Sequence, residues 1–371
     1  MGKVGRGGAP SFLVVSMRYL GDVLLSTPLA LSIKESMPDA SVDYLVLPGG
    51  DAILEKNPSV RAVYTMPPGS RSARDFLGRF RRYDFALGAN PSDRTAISAI
   101  GAGKTSVGFS YFSRKEWWKR RLYDVCRLYD DRVHAVPLIL SLLEAVRIPP
   151  VPRVVMGFDE EDRRIARECS GNDGYVLFHP YARKEYKYWP PECWGALARL
   201  VSERMGLVPV FSVSPSPADR PLLDRILEIA PRGTRTLGRV LSLPQLAAAI
   251  SGGRAFVGVD TVVTHMAAAL EVPTVAIFGP TWVHHWGPWP NGETSAAPYD
   301  AKGRVQRRGR IAVVQKDWPC VPCNQEWCCL SAGDSILCLE TLSPEEVFEE
   351  FRLVVERGKS GETGGKGTTS W

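Results

Sequence analysis

The chain has 371 residues, enough for two domains, and 44% of them are hydrophobic against 23% charged, a balance that excludes a disordered or fibrous protein. No stretch approaches the roughly 18 apolar residues of a membrane span, and the run Ser11–Val15 is too short for a signal-peptide core, so cytoplasmic residence is expected. The net charge of +6 is unevenly placed: Arg61–Arg132 holds 15 Lys/Arg against 7 Asp/Glu, a sector that would attract nucleic acid, an anionic membrane or a phosphorylated glycan, or else form an ordinary solvated surface.

In chain order, Phe12–Ser16 is a short apolar run with the signal of a buried strand. A loop, Met17–Asp22, leads into a helix that runs to about Met37 and ends at Pro38-Asp39-Ala40. Within Arg18–Pro28, Gly21 allows close backbone approach. Asp22 stands at the mouth of the helix, where it is either a helix cap or a general base for an acceptor hydroxyl. Strands are expected at Val42–Leu47 and Val60–Thr65, with a short helix at Asp51–Lys56 between them. A helix at Phe76–Arg82 and a strand beginning at Phe85–Leu87 follow. The prolines of Ile148–Arg153 read as a linker.

The pattern then restarts. A helix is expected at Asp159–Cys169, a strand at Tyr175–His179, a helix at Cys193–Met205, a strand at Val208–Val213 and a helix at Asp219–Ile229. A short strand at Arg235–Leu237 and a helix at Leu243–Ile250 come next. The loop His179–Pro191 joins a buried strand to a helix, and Arg183, Lys184 and Lys187 on it can reach a phosphate. The run Ala255–Val257 reads as a buried strand that delivers Asp260 and Thr261 to a helix at Thr264–Leu270. A helix N-terminus so placed is an anion site, and Thr261 and His265 are its polar side chains. A strand at Thr274–Phe278 ends at Gly279-Pro280. Ser343, Pro344 and Glu346 have the spacing of a helix cap, and that helix is expected to reach about Arg357 before a disordered tail.

Strands alternating with helices predict α/β architecture with parallel sheets. The expected division is 11–150, 151–342, a C-terminal helix 343–357 and a disordered tail 358–371. Five of the eight cysteines crowd one stretch: Cys320, Cys323, Cys328, Cys329 and Cys338. Buried or reactive thiols are the favoured reading. Zinc on Cys320, Cys323, Cys328 and Cys338 is the lesser one, because the spacing is not a pair of C-x2-C knuckles and contains no His. His284-His285 lacks a carboxylate at ligand spacing, so no metal is expected there.

Together these residues resemble glycosyltransferase family 9, the heptosyltransferases of lipopolysaccharide core assembly. The resemblance runs from Phe12 to about Glu350. The family's R-x-x-G-D-x-x-x-x-x-P stands as Arg18 to Pro28, and its H-P-G…K-x-W-P as His179-Pro180 and Lys187-Tyr-Trp-Pro190. Its D-S/T-G-x-x-H-x-A-A-A-L stands as Asp260 to Leu270, and F-G-P-T and W-G-P as Phe278–Thr281 and Trp286–Pro288. The segment Asp317–Cys323, continued by Ser335–Leu339, looks most like the branch that adds the third, side-branching heptose. Three positions depart from the family pattern. Val262 replaces a glycine, Tyr181 replaces the glycine of H-P-G, and Arg183 replaces a small hydroxyl residue.

The resemblance implies the GT-B fold, two doubly wound Rossmann-like domains facing a central cleft with a C-terminal helix. It implies inverting, metal-independent transfer from ADP-heptose to the lipopolysaccharide inner core. Asp22 would be the base, and Lys187 would stabilise the departing diphosphate. His179, Arg183, Asp260, Thr261, Thr264, His265, Gly279, Pro280 and Thr281 would bind the donor. Arg18, Gly21, Arg71 and Arg74 would bind the acceptor on the basic N-terminal domain, and domain closure would exclude water. No cofactor is expected, and peripheral contact with the inner membrane is compatible with the charge. Alternatives are a transferase of this fold with another nucleotide sugar, or a non-catalytic glycan-binding protein. A nucleic-acid partner is not expected, because no recognised binding module is present.

Overall fold

The structure, a computed structural model, describes residues 9–67, 81–171, 174–331 and 335–362. The chain divides into two compact units, Met1–Gly157 and Phe158–Trp371. Arg71, Arg74, most of the helix expected at Phe76–Arg82, and residues 363–371 of the expected tail lie outside the described residues.

The first unit is built on six parallel strands: β1 Ser11–Ser16, β2 Ser41–Val46, β3 Ala62–Thr65, β4 Tyr83–Gly88, β5 Gly103–Ser110 and β6 Val125–Leu128. Their spatial order is β3-β2-β1-β4-β5-β6, so the order reverses between β1 and β4. Phe12, Leu13, Val14 and Val15 are all fully buried, because crossover helices cover both faces of a parallel sheet. The helices are α1 Leu20–Leu25, α2 Thr27–Ser36, α3 Asp51–Leu54, α4 Asp93–Ala102, α5 Trp117–Leu122 and α6 Ala135–Leu140.

The single helix expected before Met37 is in fact two, α1 and α2. Pro28 has no N–H to continue the ladder. The Thr27 hydroxyl instead donates to the Leu24 carbonyl at 2.7 Å, and the Ser26 hydroxyl donates to Val23 at 2.7 Å. The proline-rich stretch after Ile148 docks within the first unit: Val151 N–H donates to Ser32 Oγ and Val155 N–H to Thr27 Oγ1.

Strands β5 and β6 are absent from the sequence reading, for a physical reason. The β5 sequence, Gly-Lys-Thr-Ser-Val-Gly-Phe-Ser, carries hydroxyls and glycines where a buried strand normally carries branched apolar residues. Its polarity is satisfied locally: Ser106 donates from both N–H and Oγ to the Asp124 carboxylate, at 2.7 and 2.8 Å. Gly108 is required by the Tyr123 ring, since a Cβ there would lie 2.2 Å from it. The buried Asp43 on β2 is likewise paired, accepting from Arg61 and from the Tyr83 hydroxyl.

The second unit holds β7 Tyr175–His179, β8 Val208–Phe211, β9 Arg235–Thr236, β10 Ala255–Val259, β11 Thr274–Ile277, β12 Val305–Arg308 and β13 Ile311–Val314. The order is β12-β13-β11-β10-β7-β8-β9, with β12 alone antiparallel. The reversal point lies between β7 and β10. The β12–β13 hairpin was not expected; it closes one edge of the sheet and carries Gly309 in the left-handed region at its turn. The helices are α7 Glu160–Ser170, α8 Pro191–Met205, α9 Arg220–Ile229, α10 Leu243–Gly252, α11 Val262–Ala269, α12 Val283–Trp286, α13 Leu337–Glu340 and α14 Pro344–Glu362. Helix α14 extends past the expected end at Arg357. It packs Phe348 and Phe351 into the same core as Trp189 and Trp194, and the Trp189 indole donates to the Leu342 carbonyl.

Helix α14 begins at a reciprocal cap. Ser343 N–H donates to the Glu346 carboxylate at 2.8 Å, and Glu346 N–H donates to Ser343 Oγ at 3.2 Å. Burial pushes the Glu346 carboxyl up, but Lys316, the Ser343 N–H and Arg304 outweigh it and hold the group at about 2. Its folded pKa is thus below its unfolded value. The stability it contributes is present above the usual carboxylate range and lost as pH falls toward 2. Replacing Ser343 by Ala should cost about 1 kcal/mol in denaturant unfolding at pH 7. Glu346→Gln should flatten the acid limb of the stability curve below pH 4.5.

Candidate functional site

In each sheet the loops after the central strands diverge where the strand order reverses, and ligands of doubly wound sheets bind at such points. In the first unit, β1 delivers Arg18 and Asp22. Asp22 sits at the third position of α1, behind the N-cap Tyr19, which makes no side-chain cap. Burial pushes the Asp22 carboxyl up to about 6, against the Arg18 guanidinium and hydrogen bonds from the Tyr19 and Asp22 N–H groups. The bond to Tyr19 N–H is the returning half of a capping box, so Asp22 has a structural task as well as the acid–base character a general base needs. Gly21 lies at the second position of α1. Arg18 is half-buried, with its guanidinium over the Tyr19 ring. Burial, and then the Asp22 charge, push the neighbouring Tyr129 phenol up.

Two polar atoms near the reversal point escaped the sequence reading. Ser16 Oγ and Asn90 Nδ2 are buried and have no hydrogen-bond partner among the described residues. Ser16 ends β1, and Asn90 follows β4. Asn90 Oδ1 is engaged by Ser92 N–H and Thr95 Oγ1, which fixes the amide. Buried unsatisfied polar atoms of this kind carry a cost that a ligand can relieve.

In the second unit, the loops after β7 and β10 are tied together by one ion pair. Lys187 Nζ lies 2.6 Å from Asp260 Oδ2, with the two side chains 21% and 7% exposed. Burial pulls the Lys187 ammonium down, but the charge and hydrogen bond of Asp260 outweigh it and hold the group above its usual range. One of its three N–H donors is used on Asp260, so the others can meet an anion. Thr261 is the N-cap of α11 and makes no side-chain cap. The first N–H groups of α11 are therefore available to a phosphate.

His265 lies one turn into α11. Burial pulls it down to about 4, Lys187 adds to this, and Asp260 opposes it. A pKa so lowered leaves the ring uncharged near neutral pH. Its Nδ1 is buried without a partner among the described residues. His179, at the end of β7, is also neutral, with burial pulling it down to about 3, and its Nδ1 is engaged with Ser212 Oγ at 2.8 Å. Val262, where the family pattern has glycine, is the first residue of α11. Tyr181, the other departure, turns inward, 4% exposed, and its hydroxyl donates to the Ser212 carbonyl.

Thr264 corrects an expectation. It is 1% exposed and its hydroxyl donates to the Val259 carbonyl at 2.5 Å, so it closes the strand–helix turn instead of facing a ligand. Arg183 is exposed on its loop, and the structure does not bring it into the buried pair. Gly279, Pro280 and Thr281 follow β11. The Gln315 side chain donates to the carbonyls of Gly279 and Thr281, at 2.7 and 3.0 Å. Gln315 has no motif signal, since its role exists only once β13 lies beside β11. The Pro280 carbonyl accepts from Asn324 N–H, which joins this loop to the cysteine stretch.

The five clustered cysteines are free thiols lining one small, partly open pocket with Trp318 and Pro280. Burial pushes the Cys338 thiol up to about 12, and neighbouring Cys323, Cys328 and Cys320 add to this, so it stays protonated and unreactive. Among the described residues no group of three or more His, Cys, Asp or Glu is placed to hold a metal ion.

One Rossmann-like unit thus holds a buried carboxyl with a raised pKa, and the other a lysine beside an uncapped helix N-terminus; the class of protein, a glycosyltransferase, follows from the family. The chain belongs to glycosyltransferase family 9 (heptosyltransferase), whose family model matches residues 77–306. It is 27% identical over 293 residues to lipopolysaccharide heptosyltransferase 3 of Escherichia coli, covering 74% of this chain and 85% of that protein. It is 28% identical over 370 residues to lipopolysaccharide heptosyltransferase 1 of Pseudomonas aeruginosa, covering 92% and 97%. Among solved structures it is similar to the glycosyl transferase family 9 protein of Veillonella parvula, with TM-score 0.72 at 19% identity, covering 94% of this chain and 97% of that one. It is also similar to E. coli heptosyltransferase WaaC with ADP, with TM-score 0.69 at 17% identity, covering 93% and 99%. At such identities the structural likeness establishes the fold, which is the α/β, GT-B type that the motifs imply.

The Lys187–Asp260 pair should behave as a partly buried one. Lys187→Ala strands the Asp260 carboxylate and should cost about 3 kcal/mol in denaturant unfolding, while Lys187→Ala with Asp260→Asn should recover most of it. A single-variant cost under about 1 kcal/mol would mean the pair is screened like a surface salt bridge.

Proposed function

We propose that the chain transfers heptose from ADP-heptose to the inner core of lipopolysaccharide, with inversion at the anomeric carbon. The observation that carries this is Lys187 held against Asp260 beside the uncapped N-terminus of α11, in a chain of the heptosyltransferase family. The relatives named lipopolysaccharide heptosyltransferase 1 and 3 support the substrate class, as does the E. coli heptosyltransferase of this fold solved with ADP-2-deoxy-2-fluoro heptose.

The Asp22 carboxylate takes the proton of the acceptor hydroxyl, and the hydroxyl oxygen attacks the anomeric carbon. The bond from that carbon to the diphosphate oxygen breaks in the same step, and ADP departs with the electron pair. In-line displacement accounts for inversion. Lys187, the α11 N–H groups and the Thr261 hydroxyl stabilise the charge that grows on the diphosphate, with neutral His265 as a hydrogen-bonding partner. Lysine and helix N-terminus here supply the stabilisation that a metal supplies in other transferases, so the mechanism calls for no cofactor. Asp260 keeps Lys187 charged and in place. Arg18, with Ser16 and Asn90, borders the acceptor hydroxyl. The enzyme acts in the cytoplasm with peripheral contact to the inner membrane, where its lipid-linked acceptor resides.

Transfer of heptose from ADP-heptose to a heptose-bearing inner-core acceptor is the direct assay. Asp22→Asn should lower kcat by about 10²–10⁴-fold, and near-normal turnover would remove Asp22 as the base. In the wild type, kcat/KM should fall as pH drops through about 6, where the base becomes protonated. A folded-state pKa raised above the unfolded value makes ionised Asp22 a destabilising group above pH 6. Asp22→Asn should therefore keep or raise Tm at pH 8 while losing activity, which separates catalysis from folding. Wild-type binding of a different nucleotide without turnover of ADP-heptose would transfer the site to another donor sugar.

A further inference from the structure

Helix α5 and the loop before it reverse the usual arrangement of a surface helix. Lys119 faces inward and is fully buried, bonded to Glu116 at 2.5 Å, Asp93 at 2.8 Å and the Pro91 carbonyl at 2.5 Å. Tyr123 is buried on the same side. Trp117, 57% exposed, points outward with Arg120 and Arg121, which share its face by i, i+3 and i+4 spacing. Phe112, 43% exposed, is held at φ 57°, a left-handed conformation that a bulky residue adopts only under constraint. Its N–H donates to Ser110 Oγ, and the N–H of Tyr111 before it donates to the Glu116 carboxylate. The Arg120 guanidinium lies 5.5 Å over its ring. Arg114 and Lys115 are exposed between these aromatics, and among the described residues none of the four cations is paired with a carboxylate.

A fold that buries a lysine and presents a tryptophan and a phenylalanine on a fixed, basic surface is not minimising its contact with water. Exposed apolar groups gathered in this way mark an interaction surface. Aromatic rings interleaved with Arg and Lys match the boundary of a bilayer: rings settle at headgroup level while the cations meet lipid phosphates. The surface lies near Asp22: the Tyr111 ring packs against Tyr129 at 5.3 Å, and Asp22 is close enough to Tyr129 for its charge to act on the phenol.

We infer that Phe112, Trp117 and the cations Arg114, Lys115, Arg120 and Arg121 form a docking surface for an anionic phospholipid bilayer. This rests on the reading that the acceptor is lipid-linked. The surface would hold the first unit at the membrane with the Asp22 site beside the headgroups.

The test is co-sedimentation of the full chain with vesicles of phosphatidylglycerol in phosphatidylcholine, beside vesicles of phosphatidylcholine alone. The wild type should bind the anionic vesicles selectively. Arg120→Glu with Arg121→Glu should weaken binding on the order of tenfold or more, and Trp117→Ala several-fold, with Tm unchanged. Transfer to a deacylated, water-soluble acceptor should be the same in all three proteins. No selective binding, or binding that the charge reversals or Trp117→Ala leave intact, overturns the surface. So does loss of soluble-acceptor binding in the charge-reversed variant with vesicle binding kept, because the patch then belongs to the glycan. Selective vesicle binding without heptose transfer by the wild type would instead sink the donor and acceptor reading and leave the docking surface standing.

Discussion

The second unit is organised around one contact, the 2.6 Å pair between Lys187 and Asp260. The two residues come from loops after β7 and β10, the strands between which the sheet order reverses. A charge with so little exposure is tolerated only if its partner is fixed. The surrounding structure fixes both: Trp189 is locked by its bond to the Leu342 carbonyl, and α11 is closed on β10 by the Thr264 hydroxyl. The pair uses one donor of the ammonium and leaves its other N–H groups free of Asp260. The neighbouring histidine is kept neutral by burial and by that lysine, so positive charge at the site is concentrated on one group.

The first unit shares the order of five strands with the second, reversing at the same point, and has the opposite electrostatic solution. Asp22 is buried with only a partial counter-charge from Arg18, so desolvation wins and its carboxyl sits near neutrality. Asp43, equally buried in the next strand, is bound by Arg61 and Tyr83 and serves the sheet. Two buried carboxylates thus differ in surroundings: Asp43 is saturated with side-chain donors, and Asp22 is not. Ser16 Oγ and Asn90 Nδ2, near the reversal point, are buried polar atoms without a partner among the described residues.

Legibility followed the hydrophobic effect. Strands such as Phe12–Ser16, Tyr175–His179 and Thr274–Phe278 were visible because a sheet covered on both faces demands continuous apolar runs. Strand β5 was invisible because its hydroxyls and glycines are accommodated by Asp124 and Tyr123, residues whose proximity is a tertiary fact. The break between α1 and α2 was signalled by Pro28 but masked by the side-chain bonds that replace its missing donor. Thr264 read as a ligand residue from its motif, yet its hydroxyl is spent on the backbone.

From its residues alone this chain could be assigned to the α/β class, two strand–helix repeats, the loops at strand ends and the family, because these depend on local pattern and on which side chains stand at fixed spacings. Which of those side chains are charged, neutral, saturated or idle depends on distances between segments far apart in the chain. Lys187 and Asp260 are 73 residues apart, and Gln315 holds a loop 34 to 36 residues before it. Burial and partnership set protonation and hydrogen-bonding capacity, and both arise only when the chain has folded.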